Sequence, residues 1–360
     1  MKKTLCKYCD TLLRIRPFTP GFEYTCPKCN GVVYRTGASV PVIVTLSLST
    51  LIIFFIMINS TLLTTTVLDV KSRSILDTIN ILSEHNFPLS SAIVFITIII
   101  IPVLIILLIN LIIFGSKIGI KQNVLFKLIS LYENTKLWNM TGVYLIGILI
   151  SMIKLDELTT LDIEIGFWIH IIYIVTFYIT IVLFNPNDIE KEIQEKKRDE
   201  NAIYKTTLYL VLAVIFIIPS NVLPIMPSFK FGVEYSNTIF EGIQAFWKGK
   251  DYFVAFVIFF TSICIPALKI IGLFIMLLMA KYKIFQNYKK TMTIFYRITH
   301  SWGKYSMLDV FVVVIVSSFI QYNHLVRVEA GTAILPFTLV VFFTMMASNS
   351  FDIRLLWEKK

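Results

Sequence analysis

Long apolar runs separated by short polar connections dominate the chain. A helix of about 20 residues crosses a hydrocarbon core of ~30 Å, and eight runs approach or exceed that length. They fall near residues 41–61, 91–114, 140–155, 167–185, 206–226, 253–280, 305–323 and 332–350. The third run is the shortest. The pattern predicts an all-α polytopic membrane protein with eight transmembrane helices.

Composition supports a membrane location. Hydrophobic residues make up 56% of the 360 residues and charged residues only 16%, so an ordinary soluble fold could not hide this much apolar surface from water. The first forty residues contain several lysines and cysteines but no apolar core followed by a cleavage site, and we expect no signal peptide there.

The positive charge follows the predicted topology. Lysine and arginine are frequent in 1–40, 115–137, 186–205 and 281–304 and in the C-terminal tail, and they are scarcer in the connections between these segments. Because basic loops stay on the cytoplasmic side, both termini are expected in the cytoplasm. The net charge of +10 therefore belongs to the membrane topology, and we expect no nucleic-acid partner.

The membrane region is predicted to consist of two tandem four-helix halves. An ungapped alignment that places Pro102 on Pro266 also matches SILDTINIL with TIFEGIQAF and Asp77 with Glu241. Since each half has an even number of spans, the two copies would have the same orientation in the membrane. The expected segments are a zinc ribbon at 1–36, a first half at 37–185, a charged linker at 186–205 and a second half at 206–360.

Four cysteines near the N-terminus have the spacing of a metal site. They form two Cys-x-x-Cys pairs, Cys6 with Cys9 and Cys26 with Cys29, which is typical of a zinc ribbon with four thiolate ligands. Two disulfides or a redox pair are the alternatives, but cytoplasmic thiols stay reduced. A site with four cysteine ligands leaves no open position for a substrate, so we predict one structural Zn²⁺.

The second half carries ionisable residues inside its spans, and the matched positions in the first half lack them. Lys269 aligns with Ile105, and Asp309 aligns with Gly142. A charge at this depth costs at least ~2.5–3.5 kcal/mol on insertion scales, so such residues face the bundle interior. The predicted polar site comprises Ser262, Lys269, Ser306, Asp309 and Thr344.

Two interpretations of the polar site remain open. It is either a structural ion pair that holds helices together or a proton- or ligand-responsive switch, because burial favours the neutral form of a lysine. In either case we expect the second half to be the active one and the first half to be mainly a scaffold.

Several segments resemble a known family. PSNVLPIM, PALKIIGL, GKYSMLDVFVV and FTLVVFFTMMASNSFDIRLLWE are similar to segments of the paraquat-inducible protein A family, which includes LetA-like proteins of bacterial inner membranes. The resemblance implies an inner-membrane subunit that works with a periplasmic protein built of mammalian-cell-entry (MCE) domains, which forms a tunnel for lipids. It also implies that the polar-site residues are functional. Many members have a second four-cysteine ribbon, whereas 186–205 contains no cysteine.

The sequence therefore predicts a phospholipid-transport component of the bacterial inner membrane. It would exchange phospholipid with a periplasmic MCE-domain partner. Two alternatives stay open: a membrane sensor or adaptor whose zinc ribbon docks a cytoplasmic partner, and a proton-coupled carrier of small solutes. Since no nucleotide-binding loop or Ser/His/Asp set is present, we do not expect an enzyme.

Overall fold

A computed structural model gives the fold of most of the chain. It describes residues 2–15, 23–35, 37–66, 70–84, 88–156, 160–186, 201–230, 233–235, 238–319, 321–322, 326–328 and 331–357. The described part is mostly helical, as the sequence predicts.

The N-terminal module consists of two short hairpins, each next to one cysteine pair. Strands β1 and β2 pair in one hairpin, and β3 and β4 pair in the other. Their bounds are Lys2–Leu5, Leu12–Ile15, Glu23–Thr25 and Val32–Arg35.

The described residues from 37 to 183 form seven α-helices and three strands. The helices are α1 Val40–Asn59, α2 Ile75–Glu84, α3 Pro88–Phe95, α4 Ile101–Ile118, α5 Gln122–Leu137, α6 Thr141–Asp156 and α7 Ile165–Leu183. Strands β5 Leu63–Thr66, β6 Val70–Arg73 and β7 Thr160–Ile163 form an antiparallel sheet in the order β6-β5-β7.

The remaining chain repeats this plan. Its helices are α8 Ala202–Val222, α9 Ile239–Lys248, α10 Tyr252–Phe259, α11 Ile265–Tyr282, α12 Lys289–Trp302, α13 Leu308–Phe319 and α14 Ile334–Ser350. A four-stranded sheet in the order β10-β11-β8-β9 is built from β8 Ser228–Lys230, β9 Val233–Tyr235, β10 Gln321–Tyr322 and β11 Val326–Val328.

Among the described residues, six helical stretches are long and apolar enough to cross a membrane. They are Val40–Asn59, Ser91–Ile118, Gln122–Ile153, Ile165–Leu183, Ala202–Val222 and Tyr252–Tyr282. This finding supports a multi-pass membrane protein. The predicted spans 305–323 and 332–350 are shorter helices, because α13 has 12 residues and α14 has 17. The predicted count of eight crossings is therefore met in part.

Local details recur at positions that the Pro102–Pro266 alignment matches. The helix is a π-helix at Ile96–Ile100 and again at Phe260–Cys264, just before each proline. Proline lacks an N–H and disturbs the preceding turn, and a π-turn is a common way to accommodate such a disturbance. The Thr97 hydroxyl donates to the carbonyls of residues 93 and 94, and that of Thr261 donates to those of 257 and 258.

The starts of α2 and α9 also match. Thr238 and Glu241 form a capping box, in which each side chain accepts a hydrogen bond from the other residue's backbone N–H. Ser74 and Asp77 make the same reciprocal pair of bonds. Capping of this kind satisfies backbone donors that a helix start leaves free.

The two halves meet where helix α6 packs on helix α13. α1 packs on α7 and α8 packs on α14, while α6 packs on α13 across the halves. The rings of Tyr144 and Phe311 lie edge to face with centroids 5.6 Å apart, and an added Cβ at Gly147 would lie 3.0 Å from Phe311 Cβ. Close approach of these helices therefore depends on a glycine, as is common in membrane bundles.

Most of the predicted linker at 186–205 lies outside the described residues. Helix α8 already begins at Ala202, four residues before the expected start of the second half, because the apolar pattern does not mark the polar first turn of a helix.

Candidate functional site

The four predicted cysteines converge. Their Sγ atoms all lie within 4.8 Å of one another, and all four residues are buried. Cys6 Sγ lies 3.5 Å from Cys29 Sγ, and Cys9 Sγ lies 3.6 Å from Cys26 Sγ. Both contacts join one pair to the other, so the two hairpins share one centre.

The spacing of the four sulfur atoms fits a metal ion with tetrahedral coordination. Zinc–sulfur bonds of about 2.3 Å place tetrahedral sulfur atoms ~3.8 Å apart, close to the separations found. The cysteines are free thiols rather than disulfides. The site can therefore hold one metal ion through four sulfur ligands.

The cysteine thiols differ in their pKa values. Burial raises the pKa of Cys6 beyond its usual range, and burial raises the pKa of Cys29 to about 11. Burial also acts on Cys26, but hydrogen bonds from the backbone at Cys29 and Lys28 outweigh it and lower its pKa to about 7. A bound cation would stabilise all four thiolates, so metal binding would release protons.

Lys269 lies in the interior of the second half. It is on α11 with only 2% of its surface exposed. Its aliphatic stem passes Gly303, where an added Cβ would lie 2.7 Å from Lys269 Cε and would overlap the Nζ atom. Gly303 begins a 3₁₀ segment, Gly303–Met307. The absence of a side chain at residue 303 therefore makes the space for the lysine head group.

The other polar-site residues lie on elements around this 3₁₀ segment. Ser306 is within it, Asp309 is in the first turn of α13, Ser262 is in the π-helical turn and Thr344 is on α14. The 3₁₀ segment packs against α11, α14 and the π-turn. All four side chains are buried.

The hydroxyl groups of the polar site differ in their bonding. Ser262 donates to the carbonyl of residue 258 at 2.6 Å, and Thr344 donates to that of residue 341 at 2.9 Å. Within the described part of the chain, the Ser306 hydroxyl has no hydrogen-bond partner. A buried hydroxyl without a partner costs free energy, and such a group is a natural contact for a polar ligand or water.

Sequence reasoning missed a neighbouring polar group at the end of α12. His300 Nδ1 lies 2.9 Å from Ser348 Oγ and its ring stacks on Tyr296. Burial, with further contributions from the charges of Lys269 and Lys7, lowers the pKa of His300 to about 4. A single histidine with no ligand spacing gives no sequence signal.

Comparison with known proteins identifies the family. The family model described as paraquat-inducible protein A matches residues 42–194 and 203–360, which is most of the chain outside the cysteine module. The chain belongs to the paraquat-inducible protein A family. The resemblance that this paraquat-inducible protein A family member shows in its sequence is therefore confirmed.

Relatives in this family carry transport names. A "Probable intermembrane transport protein" of Haemophilus influenzae is 25% identical over 98% of this chain and 95% of the relative. The Escherichia coli "Intermembrane transport protein PqiA" is 32% identical over 45% of this chain and 39% of its own length. The Escherichia coli "Lipophilic envelope-spanning tunnel protein A" is 22% identical over 98% of this chain and 90% of its own length. No solved structure matches the chain.

Proposed function

We propose that this protein transports phospholipid at the bacterial inner membrane and exchanges it with a periplasmic MCE-domain protein that forms a tunnel. The observation that carries the proposal is a lysine buried within the apolar second half and packed against the 3₁₀ segment, whose Ser306 hydroxyl has no hydrogen-bond partner among the described residues. Membranes exclude unneeded charge, so an intramembrane lysine is a functional hypothesis by default. The relatives are named as intermembrane transport and envelope-spanning tunnel proteins, and these names also support a transport function.

Lysine and hydroxyl groups suit a phospholipid head group. An ammonium group attracts a phosphate, and hydroxyls can donate to phosphate oxygens. The polar site in the second half would hold the head group while acyl chains stay among the apolar helices. The same lysine also suits a proton-coupled carrier of small solutes, since an amine can release and take up a proton.

The proposed architecture has eight crossings in two duplicated halves, with both termini in the cytoplasm. The matching π-turns and capping boxes support a duplication. The 3₁₀ segment and α13 together are about 28 Å long at ~2.0 and ~1.5 Å per residue, nearly the bilayer core. In this arrangement the first half is mainly scaffold, because its matched positions are Ile98 and Ile105 instead of Ser262 and Lys269.

The metal in the N-terminal ribbon is proposed to be one structural Zn²⁺. Four sulfur donors at near-tetrahedral spacing are the ligand set that zinc takes in closed structural sites. Because all four positions are filled by cysteine, the ion would stabilise the ribbon and would not contact substrate.

Site-specific photocrosslinking tests the lipid assignment. A photoreactive amino acid replaces Ser262 in the full-length protein in its membrane, and phospholipid adducts are identified by mass spectrometry. Ile98 is the matched control, because it is the aligned position in the first half and is equally buried. We expect several-fold more phospholipid adduct at 262 than at 98. Equal yields at the two positions would contradict a lipid site in the second half.

Purification of the tagged protein tests the partner. We expect an MCE-domain protein to co-purify with it after mild crosslinking. A kinase or another regulator in its place would favour the sensor or adaptor alternative.

A further inference from the structure

The cysteine ribbon, described over residues 2–15 and 23–35, is docked on the second half of the same chain. Each cysteine pair is followed by a residue in the left-handed conformation, Asp10 with φ 53° and Asn30 with φ 58°. An arginine contacts each of these turns. Arg297 Nη1 on α12 donates to the Asn30 carbonyl at 2.8 Å, and Arg354 Nη1 lies 3.6 Å from Asp10 Oδ1.

Cation–ring contacts extend this interface. The Arg297 guanidinium also lies over the Tyr8 ring, 5.3 Å from its centroid. Lys28 lies over Trp357 at 5.0 Å, and Trp357 Nε1 donates to Thr293 Oγ1 at 3.1 Å. The ribbon thus contacts both α12 and the C-terminal 3₁₀ turn, Ile353–Trp357, through groups whose positions depend on the two cysteine turns.

The same face of α12 continues to the polar site. Tyr296, next to Arg297, donates to the Ser348 carbonyl at 2.8 Å, and His300 contacts the Ser348 hydroxyl at 2.9 Å. Ser348 lies one turn after Thr344 on α14. Helix α12 ends at Trp302, and the next residue is Gly303, against which Lys269 packs.

The ribbon has only a small hydrophobic core, so its fold depends on the metal. Its buried apolar cluster consists of the four cysteines, with Tyr8, Leu13, Val33 and Trp357 packed around them. Such a core is too small to fold a module alone, so metal binding supplies its folding free energy. Loss of the metal would therefore remove the defined turns at Asp10 and Asn30.

We propose that the metal-loaded ribbon positions the polar site, with Arg297 and Tyr296 as the positioning residues that join the ribbon to α12, α14 and the 3₁₀ segment beside Lys269. The inference rests on the proposed function of the polar site. It assigns the ribbon an intramolecular role in place of the docking of a separate cytoplasmic protein.

Hydrogen–deuterium exchange of the full-length protein in lipid nanodiscs tests this proposal. The protein is compared as purified, with its metal content measured, and after removal of the metal by a chelator. We expect several-fold faster exchange in residues 289–307 as well as in the ribbon. Helix α5, which has the corresponding place in the first half, is the internal control and should be unchanged. Faster exchange in the ribbon alone would overturn the proposal.

Two variants separate docking from metal binding. Arg297→Ala should accelerate exchange in 289–307 while the metal content stays normal. Lys290→Ala, on an exposed position of the same helix, is the matched control and should leave exchange unchanged. Tyr8→Ala removes the ring that Arg297 contacts on the ribbon side of this interface and leaves α12 unchanged. It therefore tests the same contact if the Arg297→Ala protein does not fold. Metal-loaded Arg297→Ala and Tyr8→Ala proteins with ordinary exchange in α12 would contradict the proposal.

The hydrogen-exchange experiment and the photocrosslinking experiment can fail independently of each other. Exchange reports the coupling whether or not phospholipid is the cargo, whereas photocrosslinking at residue 262 reports the cargo. Metal-dependent exchange without lipid adducts would retain the positioning role and reject the lipid assignment.

Discussion

At the residue scale, the central feature of the molecule is a lysine held within an apolar bundle. Lys269 was recognisable from the sequence because a charge within an apolar run is costly and therefore conspicuous. Its neighbour Gly303 was not, since a glycine before a span gives no signal until the packing is known. His300 was missed for a similar reason, because its burial and its contact with Ser348 arise from α12 and α14, which are distant in sequence.

Gly303→Ala should impair function with little loss of stability. Residue 303 has φ −58° and ψ −26°, which alanine adopts readily, but the new methyl group would displace the flexible head of Lys269. We expect reduced lipid crosslinking at 262 and an unfolding free energy within about 1 kcal/mol of the parent.

Gly242→Ala is the matched control for this substitution. A Cβ at residue 242 in α9 has no atom within 4 Å, and alanine favours helix by roughly 0.5–1 kcal/mol. Crosslinking should be retained. Equal behaviour of the two alanine variants would show that the space around Lys269 does not matter.

His300 should make the protein less stable in acid. Its folded-state pKa of about 4 lies below the ordinary value of ~6.5, so the unfolded chain binds the proton more readily. The free energy of unfolding therefore has the full contribution of neutral His300 above about pH 6.5, and this contribution is lost as pH falls toward 4. The groups that face it are Tyr296, Ser348, Lys269 and Lys7.

Thermal unfolding of the parent and His300→Gln across this pH range checks the effect. The difference between the two proteins should shrink as pH falls, whereas protonation of the ribbon cysteines affects both equally. A difference that does not change with pH would contradict the assignment of a neutral, half-buried histidine.

At the element scale, the sequence predicted the long apolar helices better than the short ones. Runs of apolar residues specify a membrane helix by length alone, so α1, α4, α7, α8 and α11 were found. Helices α2, α9 and α12 were not predicted, because only one face of each is apolar. Helix α13 proved shorter than its apolar run, since its first residues wind as the 3₁₀ segment that carries Ser306.

The capping boxes of α2 and α9 provide an element-scale test of the duplication. Thr238→Ala should weaken α9, and Ser74→Ala should weaken α2, each by about 0.5–2 kcal/mol. Hydrogen exchange within 239–248 and 75–84 measures the two effects separately. Matched effects would support equivalent roles, and a negligible effect at either site would show that the helix does not depend on its cap.

At the scale of the whole molecule, charge alternation and repeated apolar runs indicated a duplicated bundle, and the family match covers both halves. Sequence reasoning did not predict that the ribbon docks on the second half. Contacts such as Arg297 with Asn30 and Lys28 with Trp357 join surface residues that are distant in sequence, and single surface residues carry no periodic pattern.

The proposed topology can be checked with reporter fusions. Fusions ending after residues 120, 285 and 357 should report the cytoplasm, and fusions after 163, 250 and 328 should report the periplasm, because basic connections stay inside. Reporters after residues 328 and 357 on the same side would contradict the crossing by α14, and hence the count of eight.

Native mass spectrometry of the full-length protein tests the central claim most directly, because it shows whether phospholipid binds at the buried polar site of the second half. The parent should retain phospholipid, and folded Lys269→Gln should retain several-fold less. Lys127→Gln, at an exposed position on α5, should match the parent. Equal phospholipid retention by the Lys269→Gln protein, or no phospholipid on the parent, would contradict the account.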